Sequence, residues 1–296
     1  MNFKRVVILG AGLLGGSLAL ALKRFAPGVE VCLWGRREAF FPWAKAHGIE
    51  EYSTDLKPLI QGADLVVLST PIGFMADMVR QVLANSPDHQ PLLITDVGSV
   101  KAVVADKVNA VIAASGRENV QFVGSHPMAG SEKSGCQDAQ ADLFTGKACV
   151  IDSTMSSAGE SESLAAVNSL EIFWQQLGAN TVLMNAVEHD HAVAAISHLP
   201  HAVASLTAEV ALRDGDSLLK EVAGNGFLDT TRIASGHAAM WTEIMLSNRE
   251  ALLTEMKAMQ EQCAAFARIL ESNDEVALLA LLQSAKEKRD TFSVES

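Results

Sequence analysis

Residues 124–135, "GSHPMAGSEKSG", set a single histidine, His126, between an apolar run and a loop of glycines, serines and a Glu-Lys pair. An imidazole, with an unperturbed pKa of ~6.5, is the side chain best suited to taking a proton near neutral pH. The same position could equally hold a buried histidine that only completes a core. Further along, "HDHAVAAISHLPH" carries His189, His191, His198 and His201, and "GNGFLDTTRIASGHAAMW" carries Asp229, Arg232, His237 and Trp241. His198 and His201 are three apart and would share a helical face, with Pro200 disturbing the helix between them. That spacing can hold a metal, but no H-E-x-x-H pattern or carboxylate-rich ligand set accompanies it, so no metal is expected. His191 and His237 are read as surface or packing residues.

A second constellation points to a dinucleotide. "VVILGAGLLGGSLALAL" places Gly10, Gly12 and Gly15 in G-x-G-x-x-G spacing after an apolar strand and at the start of a helical pattern. Gly10 would make the tight turn, Gly12 would admit the pyrophosphate, and Gly15 would let helix and strand pack closely. Leu13 and Leu14 open the helix, whose free N–H groups favour phosphate. NAD-binding versions usually end the second strand on a carboxylate that meets the ribose 2′-OH. Here "CLWGRRE" supplies Arg36 and Arg37 instead, and guanidinium groups can bind a 2′-phosphate bidentately. NADP is therefore expected over NAD, the alternative being two arginines solvated on a loop.

These groups need a scaffold. The apolar runs "RVVILG", "VEVCLWG", "DLVVLST", "LLITDVG", "QFVGSHP", "ACVIDS" and "NTVLMN" alternate with helical patterns up to about residue 185. Continuously apolar strands separated by helices predict a parallel sheet covered on both faces. Ligands of such sheets lie beyond the C-terminal strand ends, where Ser69, Thr70, Pro71, the segment Asp96 to Lys101 and His126 fall. After Asn185 the pattern is helical throughout. The reading is an α/β chain with an N-terminal Rossmann-type dinucleotide-binding domain at 1–186 and an all-helical C-terminal domain at 187–296. Between Trp241 and Leu270, residues Met245, Leu252, Met256, Met259, Cys263, Phe266 and Leu270 recur at steps of seven, four and three. That stripe is either a core face or a helix-on-helix dimer interface. The last helix is expected to be capped by Ser272 or Asn273.

With 296 residues and 49% hydrophobic composition the chain can fill a large core or two. The net charge of −12, with no basic cluster, argues against nucleic acid and anionic membrane as partners. Four cysteines without metal spacing, and an N-terminus without a signal-peptide layout, make the cytoplasm the expected compartment.

The blocks "GLLGGSLALAL", "DVGSVK", "GSHPMAGSEKSG", "HDHAVAAISHLPH" and "GFLDTTRIA", in that order and spanning nearly the whole chain, resemble the prephenate/arogenate (cyclohexadienyl) dehydrogenase family of tyrosine biosynthesis. The resemblance implies oxidative decarboxylation of prephenate to 4-hydroxyphenylpyruvate, or of arogenate to tyrosine, with hydride passed to NAD(P)+. It makes His126 the base for the 4-hydroxyl proton and gives Ser99 a hydrogen bond to that hydroxyl or to the nicotinamide end. It assigns the ring carboxylate to Arg232 and the substrate side chain to His201, with Trp241 bordering the pocket. His189 and Asp229 become orienting residues, and Glu132 closes the pocket through an ion pair. The "WGRRE" segment favours an NADP user, and His201 leans toward prephenate or dual use. Two rivals share the plan. A β-hydroxyacid dehydrogenase would need a lysine in the helical region, where Lys220 is the candidate. A non-catalytic NADP sensor would have no need of His126 and Arg232 together.

Overall fold

The computed structural model describes residues 3–130, 135–154, 160–215 and 217–292. The strands are β1 (Arg5–Leu9), β2 (Glu30–Trp34), β3 (Glu51–Ser53), β4 (Leu65–Leu68), β5 (Leu92–Asp96), β6 (Val120–Phe122), β7 (Ser125–Pro127), β8 (Ala148–Asp152) and β9 (Asn180–Met184). Helices α1 (Leu13–Phe25), α2 (Phe41–Ala46), α3 (Leu56–Ile60), α4 (Ile72–Asn85), α5 (Ala102–Ser115) and α6 (Glu160–Gln176) lie among them. Then follow α7 (Ala186–Val193), α8 (Leu199–Ala211), α9 (Ser217–Val222), α10 (Asn225–Thr231), α11 (Ala238–Ser247), α12 (Arg249–Glu271) and α13 (Glu275–Thr291).

β1 to β6 form one parallel sheet in the order β3-β2-β1-β4-β5-β6. Period-two geometry sends Val6, Ile8, Leu33, Val67 and Leu93 to one apolar layer and Val7, Leu9, Cys32, Val66 and Ile94 to the other. Both layers are buried, which is why these strands read as continuous apolar runs rather than alternating ones. α1 and α6 contribute to the first layer, and α3, α4 and α5 to the second. The strand order reverses between β1 and β4, and that switch point is where an open α/β sheet takes its ligand.

Two features depart from the sequence reading. The short β3 carries no strong apolar run and was not anticipated. The segment "QFVGSHP" is two strands, not one: β6 stays in the main sheet, while β7 pairs antiparallel with β8 in a separate sheet ordered β7-β8-β9. The break falls at Gly124, where an added Cβ would lie 3.2 Å from Lys101 Cδ and 3.5 Å from both Asp152 Cβ and Asp96 Oδ1. A side chain there would crowd the Lys101 stem over the end of β5.

Residues up to Asn248 form one compact unit and Arg249–Ser296 a second. The first holds both sheets and the helices to α11. The second is the α12–α13 pair, on which Leu270, Val276, Leu279 and Leu282 are exposed. The periodic stretch from Trp241 to Leu270 is two helices, since α11 stops at Asn248 before α12 begins. Along α12, Cys263 and Leu270 of the stripe are exposed and Met256, Met259 and Phe266 half-buried. The cap of α13 is Asp274, whose carboxylate accepts from Ala277 N at 2.9 Å, rather than Ser272 or Asn273. Asn273 instead takes a left-handed φ of 52°, a conformation this residue type tolerates, and so ends α12.

Candidate active site

The glycine turn has the geometry of a phosphate cradle. Gly10 has φ 126°, and a Cβ there would lie 2.4 Å from Ser69 O. At Gly15 a Cβ would lie 1.9 Å from Gly10 O, so the helix can start this close to the strand only without one. A Cβ at Gly12 would meet nothing within 4 Å, so open space lies over the turn. Leu13 and Leu14, half-buried, begin α1, and no acidic side chain stands in that first turn to oppose an anion. Across the switch point, Thr70 Oγ1 is buried without a hydrogen-bond partner, between half-buried Ser69 and exposed Pro71. An orphaned hydroxyl beside an open glycine turn fits a bound dinucleotide. Arg36 and Arg37 are exposed after β2 and line a cavity of about 230 Å³ with Ala11, Phe40, Gly135 and Gln137. The Arg36 guanidinium lies over the Phe74 ring, 5.5 Å from its centroid.

The second cluster lies where β5, α5, β7 and α7 meet. His126 Nδ1 is 2.8 Å from His189 Nε2, and His189 Nδ1 is 2.8 Å from Asp190 Oδ1. Asp190 also accepts from Lys101 N at 2.8 Å and Ala102 N at 2.9 Å, and so caps α5 from 88 residues away. A carboxylate that accepts from two backbone amides requires His189 Nδ1 to donate. His189 Nε2 is then an acceptor, His126 Nδ1–H must donate to it, and His126 Nε2 is left unprotonated, with no partner among the described residues. Asp190 thus sets the tautomer of a ring two links away.

Beneath it, Lys101 is 1% exposed and Asp96 0%, and their side chains form an ion pair. Lys101 Nζ also donates to Ser125 O at 2.8 Å, while Asp96 accepts from Ser125 N at 3.1 Å and Gly98 N at 2.9 Å. The Ser125 hydroxyl donates to Asp96 O at 2.6 Å and accepts from Trp174 Nε1 at 3.1 Å. Burial first, and then the charge of Lys101 and the neighbouring His189 and His198, push the His126 imidazole well below the ordinary histidine range. Burial likewise pushes Asp96 up, against the pull of Lys101 and the two amides.

His198 sits in a π-turn, Ala194–His198, placed just before Pro200, whose missing N–H and ring exclude a regular α-turn there. Its Nδ1 is 3.2 Å from Asn248 Nδ2, which also donates to Asp190 O at 2.7 Å. Burial is the main cause that lowers His198 to about 4. His201 stacks on Trp241 with centroids 3.6 Å apart, and its buried Nδ1 has no partner. Gly236 permits the stack, since a Cβ would fall 2.6 Å from Trp241 Nε1.

Of the residues singled out in the sequence, His126 and His189 meet directly, and His201 meets Trp241. Ser99 is half-buried in the turn between β5 and α5. Arg232 and Asp229 are exposed, at the end of α10 and the turn after it, which packs against α8. Glu132 lies outside the described residues. Among the described residues no group of three or more His, Cys, Asp or Glu side chains could hold a metal ion. Sequence reasoning missed Asp190 and Asn248, and gave no role to Asp96 and Lys101. The "DVGSVK" block contained the latter two, but nothing local announces that Asp190 caps a helix it is not part of.

An open glycine turn at the switch point of a parallel sheet, with an ordered histidine chain beyond the strand ends, defines a dinucleotide-dependent dehydrogenase. Comparison with known proteins gives the family. A model described as "Prephenate dehydrogenase, nucleotide-binding domain" matches residues 18–183, and one described as "Prephenate dehydrogenase, dimerization domain" matches 185–284. The prephenate dehydrogenase of Lactococcus lactis is 31% identical over 296 residues, 98% of this chain and 78% of that protein. The crystal structure of prephenate dehydrogenase from A. aeolicus, with hydroxyphenyl propionate and NAD+, superposes with a TM-score of 0.87 at 25% identity over 99% of both chains. Synechocystis arogenate dehydrogenase does so at 0.78 and 26%, over 98% of this chain and 100% of that one. The chain belongs to the prephenate dehydrogenase family and is an oxidoreductase.

Proposed function

We propose that the protein catalyses the oxidative decarboxylation of prephenate to 4-hydroxyphenylpyruvate, with NADP as its preferred cofactor. The observation that carries this reading is the directed chain from Asp190 through His189 to His126, which leaves one imidazole nitrogen free as a base. When bound, the nicotinamide accepts a hydride from C4 of the substrate. His126 Nε2 takes the 4-hydroxyl proton as the hydride departs, and the cation so formed is stabilised through His189 by the Asp190 carboxylate. Loss of the ring carboxylate as CO₂ makes the ring aromatic, and His126 returns its proton to the phenolate oxygen. Because aromatisation drives the reaction, the protein has mainly to align the groups and supply the base.

Arg232 holds the ring carboxylate, for which a planar guanidinium fork is the natural partner, and Asp229 orients it. Ser99 hydrogen-bonds the 4-hydroxyl or the nicotinamide end. His201, whose Nδ1 lacks a partner, and Trp241 face the side chain, and Glu132 closes the pocket. Gly10, Gly12, Leu13, Leu14 and Gly15 cradle the pyrophosphate, with Ser69, Thr70 and Pro71 opposite. Arg36 and Arg37 take the 2′-phosphate, and the cavity they line beside Ala11 supports NADP over NAD. The protein works in the cytoplasm as a homodimer through the helical domain at 187–296, with residues 1–186 as the dinucleotide-binding domain. A lysine-based β-hydroxyacid mechanism finds no support, since Lys220 is exposed on α9.

Initial rates of reduced-cofactor formation test this, with prephenate and arogenate each supplied with NADP and with NAD. Prephenate with NADP should be fastest. Faster turnover of arogenate would move the substrate assignment, and faster turnover with NAD would remove the role given to Arg36 and Arg37. No turnover from folded protein that still binds NADP would overturn the proposal in favour of a sensor.

A further inference from the structure

The Lys101–Asp96 bridge is, among the described residues, the only lysine– or arginine–carboxylate pair with both side chains buried. Burying two charges rarely stabilises a fold over an apolar pair of the same volume, so stability alone does not account for it. Its placement does. Through Nζ, Lys101 holds the carbonyl of Ser125, the residue immediately before His126. Through its backbone N–H it holds Asp190, the carboxylate that orients His189 and through it His126. One residue therefore grips both ends of the histidine chain and closes it into a ring of hydrogen bonds.

We propose that Lys101 is a positioning residue for the base: it fixes His126 in place from both ends and, as a buried positive charge paired with Asp96, opposes protonation of that imidazole. This rests on His126 being the base. Among the described residues, the titratable groups on the elements around His126 include Asp96 and Lys101 from the β5–α5 segment, Cys149 and Asp152 from β8, Glu188, His189, Asp190 and His191 from α7, His198 from the π-turn and His201 from α8. Of these, Lys101, His189 and His198 act against a charge on His126, and Lys101 does so as the cation of a buried ion pair. An imidazole with an ordinary pKa beside two more histidines would be partly protonated at the lower end of the physiological range and lost as a base. A fixed ammonium keeps it free.

The test is titration of His126 by imidazole nitrogen NMR in the intact wild-type protein, in Lys101→Met/Asp96→Asn and in Lys101→Met, where Asp96 can take up a proton in place of the lost ammonium. The acid limb of kcat/KM is measured beside it. In the wild type, His126 should stay neutral, with the proton on Nδ1, to well below the ordinary histidine range. In either variant its titration and the acid limb should both move up by roughly one pH unit. Lys101→Arg, which keeps the charge, should leave the limb in place even where kcat falls. A variant that loses kcat with an unmoved His126 titration would overturn the proposal and leave Lys101 a structural clamp. A wild-type His126 that titrates at the ordinary value overturns it without any variant. The NMR reading is independent of turnover, so an enzyme inactive on both substrates with His126 still shifted by Lys101 would fault the substrate assignment and not this coupling.

Discussion

His126 has its Nδ1 committed to His189, which leaves Nε2 as the nitrogen for a substrate proton. Asparagine in its place can keep a hydrogen bond to His189 but cannot take a proton. His126→Asn should therefore lower kcat by roughly 10²–10⁴-fold, a general base's usual share, while titration by fluorescence shows NADP binding unchanged. Comparable turnover in the variant would remove His126 from the base's role. The buried imidazoles also set the response to acid. His198, lowered to about 4, stays neutral in the folded chain between that value and the unfolded ~6.5, a range in which the unfolded chain takes up a proton. Its contribution is complete above ~6.5 and is lost as pH falls toward 4, costing on the order of 3 kcal/mol. His126 and His201, also lowered, act in the same direction. Asp96, raised, acts oppositely, in a window that begins at its unfolded value. Denaturant midpoints measured from pH 7 to pH 4.5 should fall in the wild type and in Asp96→Asn, and a flat profile in Asp96→Asn would mean that these rings titrate normally.

At the scale of elements, α5 and α7 are joined by one carboxylate. Asp190 receives two amides of the α5 N-terminus and one imidazole proton, and all three partners are donors. In Asp190→Asn the amide nitrogen must face one of them. If it faces His189, the tautomer chain reverses: His189 Nδ1 accepts, Nε2–H donates to His126, and His126 Nε2 then carries a proton and is no base. If it faces α5, a buried amide loses its cap. The variant should lose about 1–3 kcal/mol of stability, the cost of an unsatisfied buried donor, and kcat by at least about 10²-fold. Denaturation and steady-state kinetics measure the two effects. A variant with full activity would show that His126 does not depend on this chain. The same element scale explains Gly124: ending β6 there turns β7 across β5, which brings His126 toward α7 instead of leaving it in the main sheet.

For the whole molecule, the α12–α13 pair leaves Leu270, Val276, Leu279 and Leu282 exposed, and the proposed homodimer would cover them. Sizing with light scattering at micromolar concentration should give twice the chain mass. A monomer there would overturn the homodimer. The parallel sheet and the glycine turn were legible in the sequence, because each depends on residues within a few positions of one another, whereas His126, expected at the end of a strand of that sheet, lies within β7 of the second sheet. A doubly buried strand announces itself by continuous apolarity, and a phosphate-binding turn by glycines where a Cβ would clash. The split at Gly124, the cap supplied by Asp190 across 88 residues and the closed ring through Lys101 came instead from the packing of distant segments. Those depend on where the end of β5 lies relative to α7, and hydrogen bonds between groups so far apart in the chain leave no period or spacing to read.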